Sequence, residues 1–392
     1  MKILLVSPFL PFRGVSHAGG KLVHYLLSLL ASRHSVHLVT RYYPGEESHF
    51  TDLHQVVARL YAVPADGPVD LSSPRSILRT VRSYARLARQ ADVASRNDQF
   101  DLCQVEFTET GYFWSPPADL PAVLTCHDII AKPAFRRYEE SRGLERIAAF
   151  AAWKLKYAVE RRAVSRYRMV FTLSEEDRDW AQRLYPAARI RVLLYPGGND
   201  YLGLPRQEVP GRVLFVGALN RPQNIQSVRF LVEKVWPVVR WEIPDSELLV
   251  VGGGLPAREK ERLTGIPGIR LAGFVENLES AYKSASVVAA PILSGGGIIV
   301  KILDAMAAGT PVVTTSYGNE GIGAVPGRDL LVADDPAGFA ESVVRLFREP
   351  EAAARIADQA REFVRENYSM ESVTRRLENA YRGVLREGAP PP

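Results

Sequence analysis

Residues 286–321 read SVVAAPILSGGGIIVKILDAMAAGTPVVTTSYGNEG, and the reading of this stretch decides the fold. It opens with an apolar run, 287–290, of the length and composition of a strand buried on both faces. Pro291 stops that strand, and Gly295, Gly296 and Gly297 follow. A helical pattern then begins, with Ile298, Ile302, Ala305 and Met306 on one face and Gly309 where a helix C-cap belongs. Pro311-Val312-Val313 starts the next strand. Strand, glycine loop, helix, strand is one turn of a parallel α/β sheet. Glycines let the backbone approach a ligand, and a helix start offers unpaired N–H groups to an anion. The pattern predicts a phosphate-bearing ligand over the C-terminal edge of the strands, although a tight turn alone would also use three glycines.

The same alternation runs through the chain. Residues 2–7 read as a buried strand, followed by a loop with Gly14, Gly19 and Gly20, a helix over 22–30 and a strand over 36–40. These glycines do not fit G-x-G-x-x-G, so no dinucleotide fingerprint is present. Residues 42–72 are rich in loop-forming residues. Residues 75–96 form a basic helix, with Arg75, Arg79, Arg82, Arg86 and Arg89 at steps of three or four beside Ile77, Leu78 and Val81. Such a stripe is either a solvated face or an interfacial helix. Strands over 101–106 and 122–126 follow, the second ending in His127-Asp128, then a long helical region over 134–168 and a strand over 169–173. Ser174 caps the next helix. Asp177-Arg178-Asp179 matches a metal-binding D-x-D, but acids in a first helical turn need only the helix dipole as explanation. A strand over 190–194 closes the first half. Residues 195–211, with Pro196, Gly197, Gly198, Gly203, Pro205 and Pro210, read as a linker. The second half restarts with a strand over 213–216, then Arg221, then a strand over 248–251 ending in Gly252-Gly253-Gly254. Residues 336–387 have helical periodicity.

A chain of 392 residues exceeds what one core usually holds, so two domains are expected. Residues 1–200 hold 27 Lys/Arg against 21 Asp/Glu, so the first half alone accounts for the excess over the whole-chain +5. That charge would suit nucleic acid, an anionic membrane surface, or solubility. The basic residues are not interleaved with a known nucleic-acid motif, and no nucleic acid is expected as a partner. Two cysteines, Cys103 and Cys126, fall in strands and predict buried thiols in a reducing cytosol. The N-terminal apolar run is too short for a signal peptide, and no stretch is long enough to span a bilayer.

The opening stretch resembles the donor-site segment of the retaining GT-B glycosyltransferases of family 4. There a proline ends the strand, a Gly-rich loop follows, and the helix carries an LEAMA-like run with G-x-PVV-x-T behind it. Here the run is Leu303-Asp304-Ala305-Met306-Ala307, followed by Gly309-Thr310-Pro311-Val312-Val313-Thr314-Thr315. Many members carry two glutamates in this segment. The second position falls on Asp304 and the first on Gly296, so the carboxylate that contacts the donor sugar is missing. Glycines there, Lys301, and the ending Gly318-Asn319-Glu320-Gly321 resemble a subgroup of sugar transferases of bacterial surface-polysaccharide assembly.

The resemblance implies an α/β protein of the GT-B class, with two Rossmann-like parallel-sheet domains facing a central cleft. Residues 1–200 would be the acceptor-side domain, 201–368 the donor domain, and a last helix over 369–387 would pack back on the first. The implied function is a hexosyltransferase-type enzyme moving a sugar from a nucleotide-sugar donor to a glycan or lipid-linked acceptor with retention of configuration. The alternative is an inactive GT-B protein that binds nucleotide or glycan. By resemblance His127 is the catalytic residue. Asp304, Gly296, Gly297, Ile298, Lys301, Arg221, Gly252, Gly253 and Glu320 hold the donor, while Gly19, Gly20 and Glu106 lie on the acceptor side. No metal and no cofactor are implied, the nucleotide sugar being a substrate. The enzyme would be cytoplasmic, docked peripherally on an anionic membrane.

Overall fold

The computed structural model describes residues 1–15, 18–67, 73–294 and 298–386. The chain divides into two compact units. One comprises Met1–Tyr195 together with Val373–Pro392, and the other Pro196–Ser372.

The first unit holds a parallel sheet of seven strands: β1 Lys2–Ser7, β2 Ser35–Tyr42, β3 Arg59–Pro64, β4 Leu102–Glu106, β5 Ala122–Cys126, β6 Met169–Thr172 and β7 Ile190–Val192. Their spatial order is β3-β2-β1-β4-β5-β6-β7. The central strands β1, β4 and β5 are buried almost throughout, as parallel strands covered on both faces must be. β3 lies at the edge, where Pro64 forfeits no ladder bond. The second unit holds β8 Arg212–Val216, β9 Glu247–Val251, β10 Ile269–Gly273, β11 Val287–Ala290, β12 Val312–Thr314 and β13 Leu331–Val332, in the order β10-β9-β8-β11-β12-β13. Every pairing is parallel. In each unit the chain winds outward one way from its first strand and then returns to wind the other way. Winding therefore reverses between β1 and β4, and again between β8 and β11. The strand ends diverge at such points and leave a crevice at the carboxyl edge.

Strands β8, β9, β11 and β12 fall where the apolar runs predicted them. Gly309 follows the helix Val300–Ala307 at φ 69, the left-handed conformation expected of a C-terminal cap. Ser174 accepts from the Asp177 amide and donates to its carboxylate, and Asp177 pairs with Lys132 at 3.0 Å, so this D-x-D is a capping box.

Other expectations are corrected. Residues 42–72 contain the helix Phe50–Val56 and β3, whose half-buried edge pattern is weak in sequence. Gly19 and Gly20 are not in a loop but in the first turn of the helix Ala18–Ala31. The helical region 134–168 is two helices, Ala131–Glu140 and Gly143–Val164. Extended backbone at Ser141 and Arg142, and Gly143 at φ 57, turn the chain between them. The helix after the glycine loop begins at Val300, later than Ile298. The helical tail is broken at Glu349 and Ser369 into Pro336–Arg348, Pro350–Tyr368 and Met370–Arg386. No described helix is long and apolar enough to cross a membrane.

One buried carboxylate holds the loop after β5. Glu160, fully buried, accepts from the amides of Ile130 at 2.9 Å and Ala131 at 3.1 Å, and from Tyr185 Oη at 2.7 Å. It caps the helix Ala131–Glu140 from another helix, opposite that helix's positive end. Burial pushes its carboxyl up to about 7 despite these bonds. The folded state therefore holds a proton that the unfolded chain releases near its ordinary value of 4.5. Stability from this group is fully present below that value and is lost as pH rises toward 7, by roughly 3 kcal/mol in all. Urea unfolding of wild type and Glu160→Gln between about pH 5 and 8 tests this. The wild-type advantage should shrink with rising pH. A pH-independent difference would mean an ordinary carboxylate.

Candidate functional site

In the second unit the reversal lies between β8 and β11, and candidate donor residues sit at its carboxyl edge. Three hydroxyls fix the segment entering the glycine loop. Thr314 Oγ1 donates to Ala290 O at 2.7 Å, Ser227 Oγ to Pro291 O at 2.5 Å, and Thr315 Oγ1 to Ile292 O at 2.6 Å. Gly296 and Gly297 lie outside the described residues. Ile298 beyond them is half-buried. Lys301, in the first turn of the helix Val300–Ala307, donates to Asn224 Oδ1 at 3.1 Å, and Asn224 Nδ2 donates to Ala218 O at 2.9 Å. The helix after β11 is thereby joined to the loop after β8, across the point where winding reverses. Arg221 ends that loop and is exposed, three residues before Asn224.

The Lys301 ammonium lies 4.7 Å from the centre of the Phe215 ring. The residue as a whole is half-buried, but its charged end is sunk, and burial pushes it down to about 8. Asp304 stands one turn further along the helix, half-buried. Tyr282 underlies the same turn, its hydroxyl donating to Lys301 O at 3.3 Å, and burial, followed by the Asp304 charge, raises its phenol. Glu320 ends the helix Ser316–Glu320 that follows β12.

The glycine turn after β9 has a packing explanation. A side chain on Gly252 would come within 1.8 Å of Gly217 O, and one on Gly254 within 2.8 Å of Asn220 Cβ. Leu219 N donates to Gly253 O at 2.7 Å. Gly252 and Gly254 thus let the turns after β8 and β9 lie against each other, while a side chain on Gly253 would come within 3.2 Å of Phe274 Cβ.

In the first unit the site gathers around a buried carboxylate. Glu106 ends β4 and is fully buried. Gln104 Nε2 donates to its Oε1 at 2.6 Å and Thr125 Oγ1 at 3.1 Å. Tyr195 donates to Oε2 at 2.5 Å, and His127 Nε2 pairs with the same oxygen at 2.7 Å. Tyr381, from the last helix, donates to Gln104 Oε1 at 2.9 Å. Parallel register places the residues: Glu106 is level with Thr125, and His127 follows two positions on. With Glu106 accepting at Nε2, Nδ1 is the imidazole nitrogen left for other partners.

Phe107 holds the ring from the other side. It stacks on His127 with centroids 3.7 Å apart and planes 5° from parallel. To do so it takes φ 71, the sole positive φ of a non-glycine among the described residues. Such backbone costs about 1–3 kcal/mol and persists where surroundings over-determine it. His127 is therefore fixed in position and almost fully buried. Gly19 and Gly20, half-buried and buried, occupy the helix start after β1.

No local pattern marks Gln104, Phe107, Thr125, Tyr195 and Tyr381, because their partnership rests on strand register and on a residue 277 positions away. Asn224 was equally hidden.

Residues 19–198 match a model described as Glycosyltransferase Family 4, and residues 210–349 one described as Glycosyl transferases group 1. Over 168 residues the chain is 33% identical to an uncharacterized 44.6 kDa protein in the cps region of Klebsiella pneumoniae, covering 41% of this chain and 43% of that one. Over 193 residues it is 30% identical to a phosphatidyl-myo-inositol mannosyltransferase of Mycolicibacterium smegmatis, covering 47% and 48%. The matched region spans under half the length of these relatives. Among solved structures, a sucrose-phosphate synthase from Thermosynechococcus elongatus superposes with a TM-score of 0.68 at 19% identity, over 98% of this chain and 99% of that one. Anabaena HepE in complex with UDP-glucose gives 0.63 at 14% identity, over 98% and 100%. At such identity these two show the fold alone. Residues 19–198 and 210–349 thus each match a glycosyltransferase model, and each unit is a parallel-sheet α/β unit of the GT-B fold.

Proposed function

We propose that the protein is a hexosyltransferase-type glycosyltransferase. It moves a sugar from a nucleotide-sugar donor to a glycan or lipid-linked acceptor, with retention of anomeric configuration. The observation that carries the proposal is the placement of Lys301 and Asp304 on the helix after the glycine loop, at the point where the second sheet reverses. Asp304 accepts hydrogen bonds from the ribose hydroxyls, while Lys301, Arg221 and the loop amides meet the diphosphate. As the bond from the anomeric carbon to the diphosphate oxygen breaks, its electron pair stays on the diphosphate, and these groups stabilise the growing charge. The acceptor oxygen bonds to the anomeric carbon and gives up its proton. His127 orients the donor sugar or receives that proton at Nδ1. The complex of HepE with UDP-glucose and the mannosyltransferase relatives support a nucleotide-sugar donor. No cofactor enters the proposal, and the enzyme works in the cytoplasm against an anionic membrane.

Asp304→Ala should weaken UDP binding by ~1.5–3 kcal/mol, the worth of hydrogen bonds to a charged acceptor. Calorimetric titration of the folded variant checks this, and unchanged affinity would remove Asp304 from the donor site.

The Lys301 charge is present below its value of about 8 and lost above it. UDP affinity should therefore fall as pH rises from about 7 to 9. Lys301→Met should bind more weakly at the lower pH and show a flatter profile. Parallel profiles for the two proteins would mean that the ammonium does not reach the phosphates.

His127→Ala should slow transfer by about 10²–10⁴ while leaving UDP affinity nearly unchanged, since loss of an acid–base group acts on the chemical step. Single-turnover rates with a radiolabelled nucleotide sugar measure it. Transfer at the wild-type rate would make His127 a structural residue.

A further inference from the structure

The helix Gly143–Val164 is built inside out. Its inward side buries Ala149, Glu160, Ala163 and Val164. Trp153 and Tyr157 are half-buried, but four other large apolar residues face solvent: Leu144 is 85% exposed, Ile147 67% and Leu155 67%, with Phe150 at 42%. Leu144, Ile147, Ala151, Leu155 and Ala158 follow steps of three and four, so they form one continuous stripe. Single exposed leucines need no explanation, whereas a contiguous apolar stripe marks a surface that meets something.

The charges beside the stripe indicate what that is. Arg142, Arg146, Lys154, Lys156, Arg161 and Arg162 are all exposed. The exposed acid on this helix, Glu145, already pairs with Arg137 at 3.3 Å. Cations also lie over aromatic rings: Lys154 is 4.4 Å from the Trp153 ring and Arg146 4.6 Å from that of Tyr138. Apolar residues flanked by cations, with Trp and Tyr alongside, are the composition of an interfacial helix. A second copy of this face would set six cations against six, whereas an anionic bilayer satisfies both the charge and the apolar stripe.

The helix Pro74–Asn97, basic in sequence, is less free. Arg86 pairs with Asp66 at 2.5 Å, and Tyr84 and Leu87 turn inward.

We infer that the outward face of the helix Gly143–Val164 docks on an anionic phospholipid bilayer, with Leu144, Ile147 and Leu155 entering between the headgroups. This rests on the reading that the protein meets a membrane. It adds which surface makes the contact.

Co-sedimentation tests it, using vesicles of phosphatidylcholine alone and vesicles of phosphatidylcholine and phosphatidylglycerol in equal parts. Wild type should bind only the mixed vesicles, and less so with added salt. The triple variant Leu144→Ser, Ile147→Ser, Leu155→Ser should lose about tenfold or more in partitioning. Ile77→Ser, Leu78→Ser, Val81→Ser on the other helix should partition like wild type. All substituted positions are exposed, and an unchanged circular-dichroism spectrum and thermal melting curve for each variant report an intact fold. If wild type binds UDP but ignores mixed vesicles, the membrane reading falls while the donor reading stands. If the Leu144 triple variant partitions like wild type, or only the Ile77 variant loses binding, docking lies elsewhere. A wild-type dimer by light scattering that the Leu144 triple variant makes monomeric would assign the stripe to a second copy and overturn the inference.

Discussion

The Glu106 carboxylate has no access to water, and the first unit is arranged around that fact. An unpaired charge in such a place would cost several kcal/mol, so donors must converge on it. They come from separated parts of the chain: Gln104 on the same strand, Thr125 and His127 along the next, and Tyr195 where the chain leaves the unit. Tyr381 joins through Gln104 when the chain returns. Residues from before and after the inserted second unit thus share one hydrogen-bond network within the first. An imidazole hung on such a network, with Phe107 stacked on it, has little freedom to rotate.

The second unit solves a different problem with similar economy. Its carboxyl edge brings turns close together. Hydroxyls of Ser227, Thr314 and Thr315 hold the entry to the glycine loop, and the glycine at 252 removes a side chain that would separate two turns. The linker uses the same device. A side chain on Gly198 would meet Ala307 Cβ at 2.6 Å and Leu303 O at 2.8 Å, so the Gly197-Gly198 pair lies directly on the helix that carries Asp304.

Much of this was legible in the sequence. The apolar runs that became β8, β9, β11 and β12 are buried on both faces, and period and length alone identify such strands. Caps were equally clear at Ser174 and Gly309, because one residue's chemistry decides them. What stayed hidden was either weak locally or set by distance. β3 is an edge strand with a half-buried pattern, and β13 has two residues. The break at Ser141 lies in a run of good helix formers, where only Gly143 marked it. Glu106 was read only as an acceptor-side residue, because the partners of its buried network appear only once β4 and β5 are in register. His127 and Asp304 were found through resemblance, since neither a lone histidine nor a lone aspartate declares its role by spacing.

The first unit is discontinuous in sequence: its last helix lies beyond the whole of the second unit. While the chain is being made, Pro196–Ser372 can complete its sheet as soon as it has emerged. The earlier segment already holds all seven strands of its sheet but lacks its last helix, and the oxygen of Gln104 has no Tyr381 hydroxyl to accept a hydrogen bond from until 277 more residues exist. Closing so long a loop is slow, and until it closes the groove meant for the last helix stays open to solvent. The order of maturation is therefore the reverse of the order of synthesis. The unit begun first is finished last, and the network beneath His127 is completed only once Tyr381 has been made.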